Sequence, residues 1–272
     1  MMIPRSLGLR SSGALALLLV IWLSTITYPR SAQSETCALP SEHAGMTFPI
    51  EKVDPDWACR LFLIVDNYTT VNKIGPLRTG LSESLYQQLL DRPPLAAALI
   101  NRLELGLYKS EARGPGIFWG DDGDGTKGIV QLVYQDRTSR IYHLEGSHDG
   151  RFLPHITGKA VVFLRMNPVK DADGTEAVDC TMVSYARLDN RFLSGVVTML
   201  RPFIGGTITR KLSKGVETVD RLSRLMRQDP DRVLLRAMAP PALSDDEVTF
   251  VRQALGRLSY PGGGASVRTT EP

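Results

Sequence analysis

The chain has 272 residues, with 32 Lys and Arg against 29 Asp and Glu, a formal charge of +3 and an isoelectric point near 8.8. Residues 1–34 contain Arg5, Arg10 and Arg30 and no acidic residue, so the whole excess lies there and the remainder is formally neutral. That balance takes away the main support for nucleic acid as a partner, and none is expected; the composition excludes a multi-span membrane protein, a coiled coil and a wholly disordered chain.

The N-terminal stretch reads as an address. Arg5 and Arg10 precede an apolar run over 14–28, which is shorter than the ~20 residues of a spanning helix. Pro29 and the small residues Ser31, Ala32 and Ser34 follow. This is the order of a signal peptide cleaved after Ser34, with an uncleaved anchor as the alternative. Either way the folded part is expected outside the cytoplasm, in a bacterial periplasm, where disulfides persist. The three cysteines, Cys37, Cys59 and Cys180, allow one bridge. There is no Cys-x-x-Cys and no cluster with zinc spacing, which argues against redox chemistry and structural zinc; no cofactor is called for.

Residues 35–56 are polar and turn-rich, a leader packed on the surface. The run 58–68 alternates Leu61, Leu63 and Val65 and predicts a first strand. Two short helices follow. One spans about 82–91 with Ser82 as cap, and the other starts at Pro93-Pro94 and runs to Leu103. The period then shortens to two. Strands are expected near 105–112, 117–119, 128–134, 140–145, 159–166 and 177–188, joined by short turns as an antiparallel meander. From Asn190 the pattern is helical again. Ile204, Ile208, Leu212, Val216, Val219 and Met226 make one stripe of a long amphipathic helix, with Pro202 as a kink or restart. Gly205-Gly206 reads either as a simple break there or as a place of close backbone approach. A short helix over 229–239 and one over 245–258, opened by the Ser244/Glu247 capping box, complete the folded part. The tail 259–272 is expected to be disordered.

A strand, two short helices, six antiparallel strands and a long C-terminal helix is the order of the helix-grip fold. On that order, over about 57–228, the chain resembles the START-like (SRPBCC) superfamily. The residues carrying the resemblance are the Leu-rich helix pair, the meander and a final helix opening near Pro202-Phe203-Ile204-Gly205-Gly206. A lipocalin-like barrel is the runner-up, and it lacks the helix pair. The resemblance implies an α+β fold in which a curved antiparallel sheet wraps the C-terminal helix. It also implies a cavity between them for an apolar small molecule or lipid. Such a cavity gives affinity through buried area. The wall candidates are Leu132, Tyr134, Val162, Leu164, Cys180 and Met182 from the strands, with Phe203, Ile204 and Ile208 from the helix. A one-residue slip exchanges the two faces of any strand. If the first and last strands are antiparallel neighbours, Cys59 and Cys180 lie toward opposite ends, beyond the ~7 Å a bridge allows, so Cys37–Cys59 is the better pair.

Chemistry-bearing motifs are sparse. Asp121, Asp122 and Asp124 do not fit EF-hand spacing and read as a hairpin turn. His143, His148 and His155 match no metal motif. There is no Gly-x-Ser-x-Gly, and Ser147, His148 and Asp149 are too close in the chain to form a triad. Glu145 and Asp179 are the acid/base candidates if either points inward. Arg210, Lys211, Lys214, Arg221 and Arg224 form a basic helix side, read as solvated or as a peripheral contact with anionic lipid head groups. The first reading is therefore an exported, non-enzymatic domain binding or carrying an apolar ligand. A cyclase- or hydrolase-type enzyme and a structural or adaptor protein of the envelope are the alternatives.

Overall fold

The computed structural model describes residues 37–150, 155–189 and 197–259, and of 197–204 and 259 the helical backbone alone. The expectations for 1–34 and for almost all of the tail lie outside these residues.

The leader forms a small hairpin, β1 (Glu42–His43) with β2 (Met46–Thr47), and a 3-10 turn at Ile50–Lys52. The next segment is a helix and not the expected first strand. Asp54 accepts hydrogen bonds from the backbone N–H groups of Asp56 and Trp57, Pro55 occupies the first turn, and the chain continues as α1 (Pro55–Asp66). Leu61, Ile64 and Val65 are its buried residues, at helical spacing, whereas Leu63 is 52% exposed. The cap-and-proline start outweighs the apparent alternation. Cys37 and Cys59 form a disulfide with Cα atoms 4.8 Å apart, so the expected pair is present although Cys59 lies on a helix.

The first long strand is β3 (Thr70–Thr79), followed by α2 (Glu83–Leu90) and α3 (Pro93–Arg102). Six more strands then run as β4 (Lys109–Gly114), β5 (Ile117–Asp121), β6 (Thr126–Gln135), β7 (Ser139–His148), β8 (Ile156–Lys170) and β9 (Glu176–Leu188). They join β3 in a seven-stranded antiparallel sheet of order β3-β9-β8-β7-β6-β5-β4. As an edge strand, β3 tolerates Pro76, which cannot donate to a ladder, and its register shifts between Ile74 and Leu77.

Alternate residues of the sheet feed two cores. On the outer face Ile141, Val161, Phe163 and Val183 meet α1 and the leader residues Leu39, Phe48 and Val53. On the inner face Leu164, Met166, Val178 and Cys180 meet α2, α3 and the C-terminal helices. Those are α4 (Val197–Gln228), α5 (Pro230–Met238) and α6 (Asp245–Ser259). Helix α4 runs through Pro202 as one element. Asp229 caps α5, and the Ser244/Glu247 box opens α6. Arg102 on α3 donates to the carbonyls of Arg236 and Ala239 at 3.0 and 2.8 Å, binding the end of α5 to the domain. The architecture is α+β, with a large antiparallel sheet and six α-helices among the described residues.

Candidate functional site

A cavity of about 690 Å³ lies between the inner face of the sheet, α2, α3 and the middle of α4. Leu89 and Leu90 of α2, Ala97 and Ile100 of α3, and Leu212, Val216, Val219 and Leu222 of α4 line it. From the sheet come Phe118, Val130, Tyr142, Leu144, Val162, Leu164, Met182 and Ala186. Strand pairing explains this set. Phe118, Val130, Leu144 and Ala160 share one register row, with Ala186 next on β9, and Tyr142 and Val162 share the following row. Side chains one pleat apart point the same way, so each row forms one band of the wall.

Three of the expected wall residues, Val162, Leu164 and Met182, stand on the cavity. The others divide for physical reasons. The register of β6 shifts between Leu132 and Tyr134, which pairs Tyr134 with Ile141 and sends it to the outer core. Leu132 lies outside the wall, under the β4–β5 turn, where its N–H donates to Gly116 at 2.8 Å. Cys180 is buried below the cavity in contact with the Tyr86 hydroxyl, and burial pushes its thiol up to about 11. Ile208 precedes the wall by one helical turn, because the first part of α4 is engaged by β3, where Thr209 Oγ1 donates to Asn72 Oδ1 at 2.9 Å. Phe203 and Ile204 belong to α4, but their side chains are outside the described residues.

A second feature is invisible in the linear sequence. Gly120, Gly128, Gly146 and Gly158 stand opposite one another on β5, β6, β7 and β8, flanked by Ser110 and Leu188. All four line the cavity. A Cβ at Gly128 would lie 2.4 Å from the Glu145 carbonyl oxygen, one at Gly146 2.4 Å from that of Lys127, and one at Gly158 2.6 Å from that of Arg187. Only residues without side chains permit that approach. The four are far apart in the chain, and only strand register aligns them.

Beyond this row the inner face carries polar groups beside Ile156. Thr126 Oγ1 and His148 Nδ1 lie 3.0 Å apart. Lys211 of α4 donates to Asp122 Oδ2 at 2.7 Å, Asp124 Oδ2 at 3.1 Å and the Asp124 carbonyl at 2.8 Å. The turn is pre-shaped for this, since Asp122 Oδ1 accepts the N–H groups of Asp124 and Thr126. Burial works against the Asp122 charge, but Lys211 and those two amides prevail and hold its pKa below the usual range. Lys211 therefore leaves the basic solvated side to which the sequence assigned it.

The remaining chemical candidates do not converge. Asp179 is bound by Arg78 at 2.7 and 2.9 Å, and Glu145 faces Lys159 at 3.3 Å on the outer side. His143 stands beside Trp57, and His155 pairs with Asp149 at 2.5 Å. No group of three or more His, Cys, Asp or Glu capable of holding a metal occurs among the described residues. Among them, too, no helix is long and apolar enough to cross a membrane.

No protein-family model matches the chain, and no curated protein matches it. Among solved structures it is similar to a conserved protein from Geobacillus kaustophilus, at 13% identity and a TM-score of 0.41, over 57% of this chain and 93% of that one. It is also similar to the protein XoxI from Bacillus cereus, at 12% identity and a TM-score of 0.34, over 60% and 96% of the two chains. At these scores neither likeness bears on what the chain does.

Proposed function

We propose that this chain is an exported, non-enzymatic domain that binds or carries an apolar ligand, a lipid or a molecule of similar character, between its sheet and α4. The observation that carries the reading is the cavity of about 690 Å³, whose wall is predominantly apolar, with polar groups gathered at one end. A pocket of that size suits a small apolar ligand, and removal of apolar surface from water drives its binding at roughly 25 cal/mol per Å². The strand order, the helix pair after β3 and the long α4 support a helix-grip, START-like fold. So do the contacts of α4 with β3, at one end of the sheet order, through Asn72, and with the β5–β6 turn, near the other, through Asp122. The glycine row, which lets neighbouring backbones approach closely, supports it too. Export is supported by the Cys37–Cys59 bridge, which an oxidising compartment maintains.

The test is equilibrium binding of the neutral fluorophore N-phenyl-1-naphthylamine to delipidated protein. Saturable one-site binding is expected, weakened at least about tenfold in Leu144→Trp, where the added ring fills the cavity instead of overpacking a core. Unchanged binding in that variant would mean that the dye sits elsewhere and would contradict the reading.

A further inference from the structure

The polar groups at one end of the cavity restrict what kind of molecule it can hold. Asp122, Thr126, His148 and Lys211 all belong to the wall there, at the far end of the strand ladder from Leu164 and Met182. A ligand that fills the cavity displaces water from Thr126 and His148. A wholly apolar one leaves their hydrogen-bonding capacity unmet, which weakens its binding. Thr126 Oγ1 lies 3.0 Å from His148 Nδ1. Whichever of the two donates, the Thr126 oxygen keeps a lone pair for a further donor.

The same end offers nothing to a negative charge. An ammonium group has three N–H bonds, and Lys211 directs them at Asp122 Oδ2, Asp124 Oδ2 and the Asp124 carbonyl. Asp122 Oδ1 in turn accepts the Thr126 N–H at 2.9 Å, so this saturated ammonium group stands beside the Thr126–His148 pair. Among the described wall residues, Lys211 is the one Lys or Arg turned into this end. Lys109, Asp121 and Lys127 occupy the alternate positions, which face the other way. Glu145 and Lys159 pair with each other on the outer side. Lys214, whose charge reaches Asp124, is exposed and outside the wall. A carboxylate or phosphate placed here is buried beside two acids without a free counter-charge, which costs far more than burying a hydroxyl.

We infer that the cavity takes an apolar molecule bearing an uncharged hydrogen-bond donor, such as a hydroxyl, which Thr126 and His148 hold. Asp122 and Asp124, by saturating Lys211, make the site reject anionic lipids such as free fatty acids. This rests on the reading of the cavity as a ligand site, and it narrows the class of ligand.

The experiment is displacement of N-phenyl-1-naphthylamine from the delipidated protein at pH 8 by dodecanol or by laurate, which share a chain length and differ in head group. The ratio of the two displacement constants on one protein is expected to favour dodecanol by more than about tenfold in the wild type. Any apolar cavity disfavours an ion, so the decisive reading is how that ratio changes. Asp124→Ala frees a Lys211 N–H together with its charge, and should narrow the ratio at least about fivefold through tighter laurate binding. Thr126→Val removes the acceptor for the hydroxyl and should narrow the ratio about threefold through weaker dodecanol binding. It serves if Asp124→Ala does not fold. A wild-type ratio near or below one, failure of dodecanol to displace the dye, or a ratio unchanged in the variants would overturn the head-group assignment and leave the cavity reading standing. Absence of saturable dye binding in every protein, the wild type included, would overturn both.

Discussion

His43 is a base kept neutral by its surroundings. It is 1% exposed, stacks on Phe163 with ring centroids 3.9 Å apart, and places Nδ1 3.3 Å from the Tyr185 hydroxyl, while Nε2 has no hydrogen-bond partner among the described residues. Burial lowers its pKa to about 4, against a weaker upward pull from the Pro40 backbone. The folded pKa thus lies below the unfolded one, so the folded state takes up its proton later. Its stability is complete above about pH 6.5, declines as pH falls toward 4, and is lower by up to about 3 kcal/mol beyond that. Urea unfolding of wild type and His43→Phe at pH 7, 5 and 4 should show a smaller loss across this window in the variant. Equal slopes would mean that His43 does not carry the effect.

The residues that set the site differ in how far they can be read locally. Val162, Leu164 and Met182 follow from period-two alternation, whereas Tyr134 does not, because a bulge at Val133 exchanges the faces midway along β6.

Among the elements, those with chemical start signals are the legible ones. Ser82 caps α2, Pro93 opens α3, and Ser244 with Glu247 opens α6, each by satisfying or omitting the N–H groups a first turn leaves unpaired. Helix α1 has such a signal in Asp54-Pro55, but its apolar residues also alternate over a short window and so imitate a strand. Strand β3 is hidden by Asn72, Lys73, Gly75 and Pro76, poor strand formers that an edge position and a shifted register tolerate. Register between distant strands is a property of the assembled sheet, so the glycine row is out of reach of any local pattern.

Two predictions belong at this scale. The disulfide closes a separation of 22 residues and fastens the leader over the outer core, so Cys37→Ser with Cys59→Ser should cost about 3 kcal/mol in urea unfolding. A loss below about 1 kcal/mol would mean that the leader is held by packing alone. Gly128→Val places a side chain where a carbonyl oxygen stands 2.4 Å from the Cβ position, and should destabilise by more than about 2 kcal/mol. The same change at Gly206, whose Cβ position has nothing within 4 Å among the described residues, should cost less than half as much; equal costs would refute the close-packed row. Gly205 lies against β3, its Cβ position 3.1 Å from Thr70 Oγ1, which answers the question the glycine pair raised.

At the scale of the molecule, both faces of one sheet are covered, but differently. The outer face is packed under α1 and a disulfide-clipped leader, with Phe48 and Phe163 fully buried. The inner face packs against α2–α6 only in part and leaves space beneath the middle of α4. An interior normally fills such space, since an unfilled apolar cavity costs stability in proportion to its volume. A space of about 690 Å³ beside two buried apolar clusters is what the proposed ligand site would require.

The most direct measurement is native mass spectrometry of the protein purified without detergent, followed by solvent extraction. The expected result is a population heavier than the polypeptide by the mass of one apolar molecule, released on extraction and absent from Leu144→Trp. A single species at the polypeptide mass, together with failure of the delipidated protein to take up any apolar probe, would contradict the cavity's role.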